Sequence, residues 1–136
     1  MNAKPFRVRR VDKSDYSVYL KKAKEFYQTM YQAEKLENWN AVGLNGVHCV
    51  ISLMDVILVK YGGIRSAEED HMKVIDLLLV SALGQIENLE QKSQIARRII
   101  AKKNLISYEN REFFKAEALD LMKQVQRFYE WATGLV

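Results

Sequence analysis

The chain has 136 residues, of which 49% are hydrophobic and 28% are charged, with a formal net charge of +4 and a pI of about 9.1. This length fits one domain with one core, and the composition is too apolar for a disordered chain. A single cysteine excludes an internal disulfide, and one proline and six glycines provide few helix breakers. We therefore expect one helical domain whose mild positive charge is compatible with nucleic acid.

The sequence predicts neither a membrane span nor a secretion signal. The longest apolar run, residues 47–59, is interrupted by Ser52 and Asp55, and it is shorter than the roughly 20 residues that a spanning helix needs. Residues 1–5 are not followed by the apolar stretch of a signal peptide. A cytoplasmic location is expected, where Cys49 stays reduced in the core.

The predicted elements begin with a basic N-terminal lead-in, residues 1–13, followed by a single domain, residues 14–136. Apolar side chains recur at three- and four-residue spacing from Tyr16 to Met30. This spacing predicts a first helix that ends near residue 36 and has Ser14 as its N-cap.

A second helix is predicted to start after Asn38 or Asn40 and to end at Gly62-Gly63. It is apolar all round, as expected of a central helix with neighbours on several sides. Its polar exceptions recur at three- and four-residue spacing and form one polar seam: Asn45, His48, Ser52 and Asp55. A buried carboxylate needs a partner, here His48, Arg65 or a tyrosine hydroxyl. The seam is either a polar network that fixes helix register, which we favour, or a small polar pocket.

Three more helices are predicted in the rest of the chain. The third begins at a capping box in which Ser66 and Glu69 exchange hydrogen bonds. The fourth runs from about Asn88 to Lys103, and the fifth starts around Asn110. Five helices with short connectors predict an all-α fold, an up-and-down antiparallel helical bundle.

Short motifs occur in a fixed order along the centre of the chain. They are Val47-His48-Cys49-Val50-Ile51, Asp55-Val56-Ile57-Leu58, Gly63-Ile64-Arg65-Ser66, Asp70-His71 and Leu77-Leu78. This pattern resembles the HEPN family of small nucleotide- and RNA-associated helical bundles. Small bacterial members have a near-apolar second helix with an acid in its middle, then a glycine-containing turn, then a histidine that opens the third helix. The resemblance covers about residues 14–132, and its specific part is residues 44–79.

The resemblance implies a bundle that is commonly homodimeric. Some HEPN proteins are ribonucleases with an Arg-x4-6-His motif, and others are partners of minimal nucleotidyltransferases or bind nucleotides or RNA. Arg65 and His71 are separated by five residues and satisfy the motif. As a catalytic pair, His71 would transfer a proton and Arg65 would offset the charge on a scissile phosphate. Alternatively, Arg65 pairs with Glu69 or Asp70, and His71 is a hydrogen-bonded residue at the edge of the core.

A group of cations on the predicted fourth helix is the candidate nucleic-acid contact: Arg97, Arg98, Lys102 and Lys103. Binding through such a surface weakens steeply with salt. The alternative is an ordinary solvated helix face. No metal and no cofactor are predicted, because the single Glu-x-x-His spacing at Glu68 and His71 lacks the second copy that a di-iron bundle needs.

These patterns favour a homodimeric accessory module whose ligand is a nucleotide, RNA or a nucleotidyltransferase-type protein. The second hypothesis is a metal-independent, toxin-type ribonuclease that uses Arg65 and His71, and the third is a structural homo-oligomer without a small ligand. The setting of the motif favours the first hypothesis. Arg65 precedes a helix start instead of lying inside a helix, and Met72 follows His71 in place of the tyrosine of one toxin version of the motif.

Overall fold

The structure, a computed structural model, describes residues 7–67, 70–82 and 84–136, and 77% of it is helical. Its five α-helices are α1 (Tyr16–Lys35), α2 (Trp39–Gly62), α3 (His71–Ala82), α4 (Leu89–Tyr108) and α5 (Lys115–Thr133). Two short strands, β1 (Val8–Arg10) and β2 (Ile64–Ser66), pair with each other. The predicted all-α bundle is confirmed.

α2 is the central helix, and the other four helices all pack against it. Every residue from Cys49 to Val59 is buried. α2 is long and apolar enough to cross a membrane, with a mean hydropathy of 1.9 in its most apolar 18-residue window, but 83% of that window is buried inside the protein. This burial is what an all-round apolar helix needs at the centre of a bundle.

The end of α2 follows the predicted glycine stop. Gly63 adopts a left-handed conformation with φ +61°, and its N–H donates to the Val59 carbonyl at 2.9 Å. Glycine reaches this conformation without the clash that a Cβ causes. The chain therefore reverses after α2 and runs back along it as β2.

The small antiparallel sheet is a feature that the sequence did not predict. The strand pairs are Val8↔Ser66, Arg9↔Arg65 and Arg10↔Ile64. Hydrogen bonds extend this ladder on both sides, from the Ala67 N–H to the Arg7 carbonyl at 2.9 Å and from the Val11 N–H to the Gly63 carbonyl at 3.0 Å. Backbone hydrogen bonds thus connect the lead-in before residue 14 to the segment between α2 and α3.

Two predicted helix caps are wrong. Ser66 lies in β2 and does not cap α3, and Glu69 of that capping box lies outside the described residues. Asp70 is the N-cap of α3 instead, because its Oδ1 accepts a hydrogen bond from the Met72 N–H at 2.9 Å. At the first helix, Ser14 donates its N–H and its hydroxyl to Asp12 Oδ1, both at 2.9 Å. Asp12 therefore caps a 3₁₀ turn that leads into α1.

The boundary between the last two helices also differs from the prediction. α4 continues to Tyr108, five residues beyond Lys103, and α5 starts only at Lys115. The start of α5 is held by Glu117, whose Oε1 accepts from the Phe114 N–H at 3.1 Å. Arg111 donates to both carboxylate oxygens of Glu117, at 2.9 and 2.6 Å. The bond to Glu117 satisfies the Phe114 N–H, a group that a helix start leaves open, and the two Arg111 bonds hold the Glu117 carboxylate in place for a start later than Asn110.

Candidate functional site

Asp55 and Arg65 form an ion pair where the core meets the surface. Arg65 Nε lies 3.7 Å from Asp55 Oδ2, and the side chains are 40% and 10% exposed, respectively. This distance is too long for a hydrogen bond, and Arg65 Nε is buried without a hydrogen-bond partner among the described residues. Asp55 therefore attracts Arg65 by charge, and the Nε donor is buried beside the carboxylate without a hydrogen bond among the described residues.

The pKa of Asp55 is raised to about 6. Burial is the main cause, and the charges of Arg65 and Lys22 oppose it. A carboxylate in the middle of an apolar helix loses its hydration, which disfavours the ionised form. Asp55 therefore changes its charge near neutral pH, unlike an ordinary surface aspartate.

Tyr19 on α1 contacts both cations that face Asp55. The Arg65 guanidinium carbon lies 5.1 Å from the centre of the Tyr19 ring, and Lys22 Nζ lies 5.5 Å from it. Both distances fall within the range of cation–π attraction. The ring, one helical turn before Lys22, therefore gives the guanidinium of Arg65 a second contact besides Asp55.

Arg9 lies directly opposite Arg65 in the small sheet. Hydrogen-bonded pairs alternate along an antiparallel ladder, and the flanking bonds at residues 7–67 and 11–63 make Arg9 and Arg65 such a pair. Their side chains project from the same face, with Cα atoms about 5.5 Å apart. Arg9 is exposed. Arg9, Lys22 and Arg65, here named the basic cluster, therefore lie together at the edge of the bundle.

Asn45, His48 and Asp55 of the predicted polar seam of α2 each contact a different group. His48 is half-buried and its ring stacks on Phe26 at 5.4 Å between centroids. Burial and then the charge of Lys103 lower the pKa of His48. Ser52 is buried, and the Asn45 amide donates to the Ala41 carbonyl at 2.8 Å. His48 and Asp55 are seven positions apart, about 10 Å along the helix axis, and Asp55 pairs with Arg65.

The Arg65–His71 pair stays a prediction. His71 is the first residue of α3, but its side chain lies outside the described part of the structure, as do Glu68 and Glu69. Of the two acids predicted as alternative partners of Arg65, Asp70 caps α3. The structure instead brings Arg65 to Asp55.

The four candidate cations of α4 differ in their surroundings. Arg97 forms an ion pair with Asp76 on α3 at 2.7 Å. Lys103 is half-buried, and its charge acts on His48. Arg98 and Lys102 are exposed and lie one turn apart on the same side of the helix. Arg97 is thus already paired with another group of the protein.

The chain's excess positive charge is concentrated near the N-terminus. Residues 8–24 contain six of the 21 cations but only two of the 17 acids, so the remaining cations and acids balance. All six cations are exposed: Arg9, Arg10, Lys13, Lys21, Lys22 and Lys24. The basic lead-in was predicted from the sequence, but its continuation into α1 was not, although Lys21, Lys22 and Lys24 beside Tyr19 were a visible signal.

Within the part of the chain that the structure describes, no three side chains of the His, Cys, Asp and Glu types come close enough to hold a metal ion. Burial raises the pKa of Cys49 to about 12, and its side chain is fully covered. A protonated, covered thiol is a poor nucleophile.

Comparisons of the chain with protein-family models, with curated proteins and with solved structures find no match. The function is therefore argued from the site itself.

Proposed function

We propose that the protein is a HEPN-like, non-catalytic module that binds RNA through its N-terminal basic surface, formed by β1 and the first half of α1. The single observation that carries this proposal is the location of the net charge. The whole excess of +4 lies in residues 8–24, and every cation in that segment is exposed. Clustering of cations on one side of a protein is the electrostatic footprint of nucleic-acid binding.

The aromatic side chains of this surface support RNA as the ligand. Tyr16 and Tyr19 are half-buried in α1 and lie beside cations. Lys60 Nζ is 5.2 Å from the Tyr16 ring, and Lys22 and Arg65 approach Tyr19. Single-stranded nucleic acids are commonly bound by cations that follow the backbone and by aromatic rings that stack with bases.

The surroundings of Arg65 support binding over cleavage. Its guanidinium already contacts the Asp55 carboxylate and the Tyr19 ring. The Asp55 side chain is only 10% exposed, and a general base must come within hydrogen-bond reach of the proton that it removes. Arg65 is therefore suited to hold a phosphate in one place. The homodimer and the nucleotidyltransferase-type partner implied by the resemblance belong to the same proposal.

Titration of a short, labelled single-stranded RNA, followed by fluorescence anisotropy, tests binding. Affinity is expected to fall steeply between about 50 and about 200 mM salt, because bound cations release the counter-ions of RNA. The same RNA, analysed by gel after incubation with wild-type protein and with His71→Ala, tests catalysis. Equal, background-level cleavage by both proteins is the expected result. Binding that is absent or insensitive to salt contradicts the RNA-binding module, and cleavage by the wild type alone contradicts its non-catalytic nature.

A further inference from the structure

We propose that the basic cluster of Arg9, Lys22 and Arg65 is a site for a terminal phosphate, with Asp55 as the internal counter-ion that positions Arg65. This inference deepens the proposed function and rests on it for the class of ligand, a nucleotide or an RNA end. Beyond the proposed function, it specifies the recognised group, a phosphomonoester, and the three residues of the basic cluster that bind it.

Arg9 and Arg65 form a cross-strand pair of like charges. Like charges directly opposite each other destabilise an antiparallel pair, yet the hydrogen bonds at residues 7–67 and 11–63 fix this register from both sides. Arg9 and Arg65 cannot move apart along the strands without breaking that ladder. An anion bound by both side chains would remove their repulsion, and the register places both arginines on the same face of the sheet, where they can reach one anion.

The Arg65 side chain is positioned beside Asp55 and remains partly accessible. Its Nε is buried 3.7 Å from Asp55 Oδ2, whereas the side chain as a whole is 40% exposed, so a phosphate would meet the guanidinium N–H groups other than Nε. A guanidinium presents parallel N–H groups that match two oxygens of a phosphate. Asp55 and Tyr19 restrict the guanidinium before any ligand binds, which lowers the entropy lost on binding.

The net charge of the basic cluster matches that of a phosphomonoester. With Asp55 ionised, the three cations of the cluster and this one carboxylate leave two positive charges. A phosphomonoester carries a charge of about −1.5 to −2 at pH 7, which neutralises the cluster, whereas an internal phosphodiester carries only one negative charge. The site therefore favours a terminal phosphate over the RNA backbone.

The experiment titrates the full-length, isotope-labelled protein with adenosine monophosphate, with adenosine and with inorganic phosphate, and follows backbone amide shifts by NMR. Adenosine monophosphate and inorganic phosphate are expected to shift amides of β1, β2 and the first turns of α1, and adenosine is expected to leave them unchanged. Equal shifts with adenosine, or shifts confined to other elements, overturn the proposal.

Variants test the named residues. Arg9→Ala and Arg65→Lys are expected to weaken adenosine monophosphate binding about tenfold each, as loss of a charge-assisted hydrogen bond does. Arg65→Lys keeps the charge beside Asp55 but removes the planar fork, so the ion pair with Asp55 is retained. Arg127→Ala, at an exposed arginine of α5, is the matched control and is expected to keep wild-type affinity. Unchanged affinity in Arg9→Ala and Arg65→Lys overturns the proposal.

A comparison of two RNA ligands separates this inference from the function on which it rests. The same RNA is prepared with a 5′-phosphate and with a 5′-hydroxyl, and tighter binding of the phosphorylated form supports the site. Equal, salt-sensitive binding of both forms overturns the terminal-phosphate site but leaves the RNA-binding module standing. Failure of both forms to bind contradicts the module itself.

Discussion

Asp55, in the middle of the central helix, lies 3.7 Å from Arg65 on β2, and this pair connects the core of the bundle to its basic surface. Moving a carboxylate out of water is unfavourable unless its interactions compensate. The raised pKa of Asp55 shows that Arg65 and Lys22 compensate only in part. The Asp55 side chain is therefore retained at a cost to stability, and its position beside Arg65 gives it a role in holding that arginine.

Replacement of Asp55 by asparagine is expected to stabilise the protein above pH 6. The folded pKa, about 6, is higher than the ordinary aspartate pKa of 3.8, so the folded state binds a proton more tightly than the unfolded state between about pH 4 and 6. The wild type therefore loses stability as pH rises through that window, by at most about 3 kcal/mol. Chemical denaturation from pH 4 to 8 measures the difference between Asp55→Asn and wild type. Asp120→Asn, at an exposed carboxylate, controls for the loss of one acid. If the difference in unfolding free energy between Asp55→Asn and wild type does not grow with pH, the account is contradicted.

Replacement of His48 by phenylalanine is expected to protect the protein against mild acid. Burial and Lys103 lower the pKa of His48, so the folded state binds this proton less tightly than the unfolded state does. The contribution of His48 to stability is therefore present above the unfolded pKa, about 6.5, and is lost as pH falls below it. Thermal unfolding at several pH values between 8 and 5 should show a smaller loss for His48→Phe, which keeps a ring against Phe26. Parallel losses in the two proteins would contradict this expectation.

Much of the fold could be predicted because its signals are local. The all-round apolar pattern of α2 and its glycine stop are visible in the sequence, and both agree with the structure. The two strands could not be found in this way, because each has only three residues and its partner lies more than 50 residues away. Ser66 fits a capping box by type and spacing, but pairing with Val8 places it in a strand instead.

The candidate site was only partly predictable. Arg65 was one of three partners expected for Asp55, and the turn at Gly63 decides among them by bringing the chain back along α2. The cations of α4 were predicted as a nucleic-acid contact because several of them lie close together in the sequence. That spacing does not reveal that Arg97 is paired with Asp76. Arg9 and Arg65 become neighbours only through the register of the sheet, which no local pattern specifies.

Substitution of Gly63 by alanine is expected to weaken the connection between α2 and the sheet. A Cβ at this position meets Lys13 at 3.4 Å, which is ordinary contact, so the cost comes from φ +61°. A left-handed conformation costs an alanine about 1–2 kcal/mol relative to glycine. Equilibrium denaturation should show a loss of this size, and Gly63→Asn should lose less because asparagine tolerates this conformation. Equal stability of Gly63→Ala and wild type would remove the conformational argument.

Substitution of Gly43 by alanine is expected to disturb the packing of α2 against the end of α4. A Cβ on Gly43 would lie 2.7 Å from Ile106 Cδ1 and 2.8 Å from a ring carbon of Phe113. Phe113 is 2% exposed, and its N–H donates to Asn40 Oδ1 at 2.7 Å, so its ring has little room to move. Overpacking of this kind costs about 1–3 kcal/mol, which denaturant titration measures. If Gly43→Ala is more stable than wild type, α2 and the end of α4 do not approach each other this closely.

The central claim is that RNA binds the N-terminal basic surface, and matched double variants test it most directly. Lys21→Ala/Lys24→Ala removes two exposed cations from α1, and Arg98→Ala/Lys102→Ala removes two exposed cations from α4. RNA affinity is measured for both proteins and for wild type over a series of salt concentrations. The α1 variant is expected to bind more weakly, with a salt slope shallower by up to about 1.4, because each lost phosphate contact contributes about 0.7 for a single strand. The α4 variant is expected to match wild type, and equal losses in both variants, or a loss confined to α4, would contradict the claim.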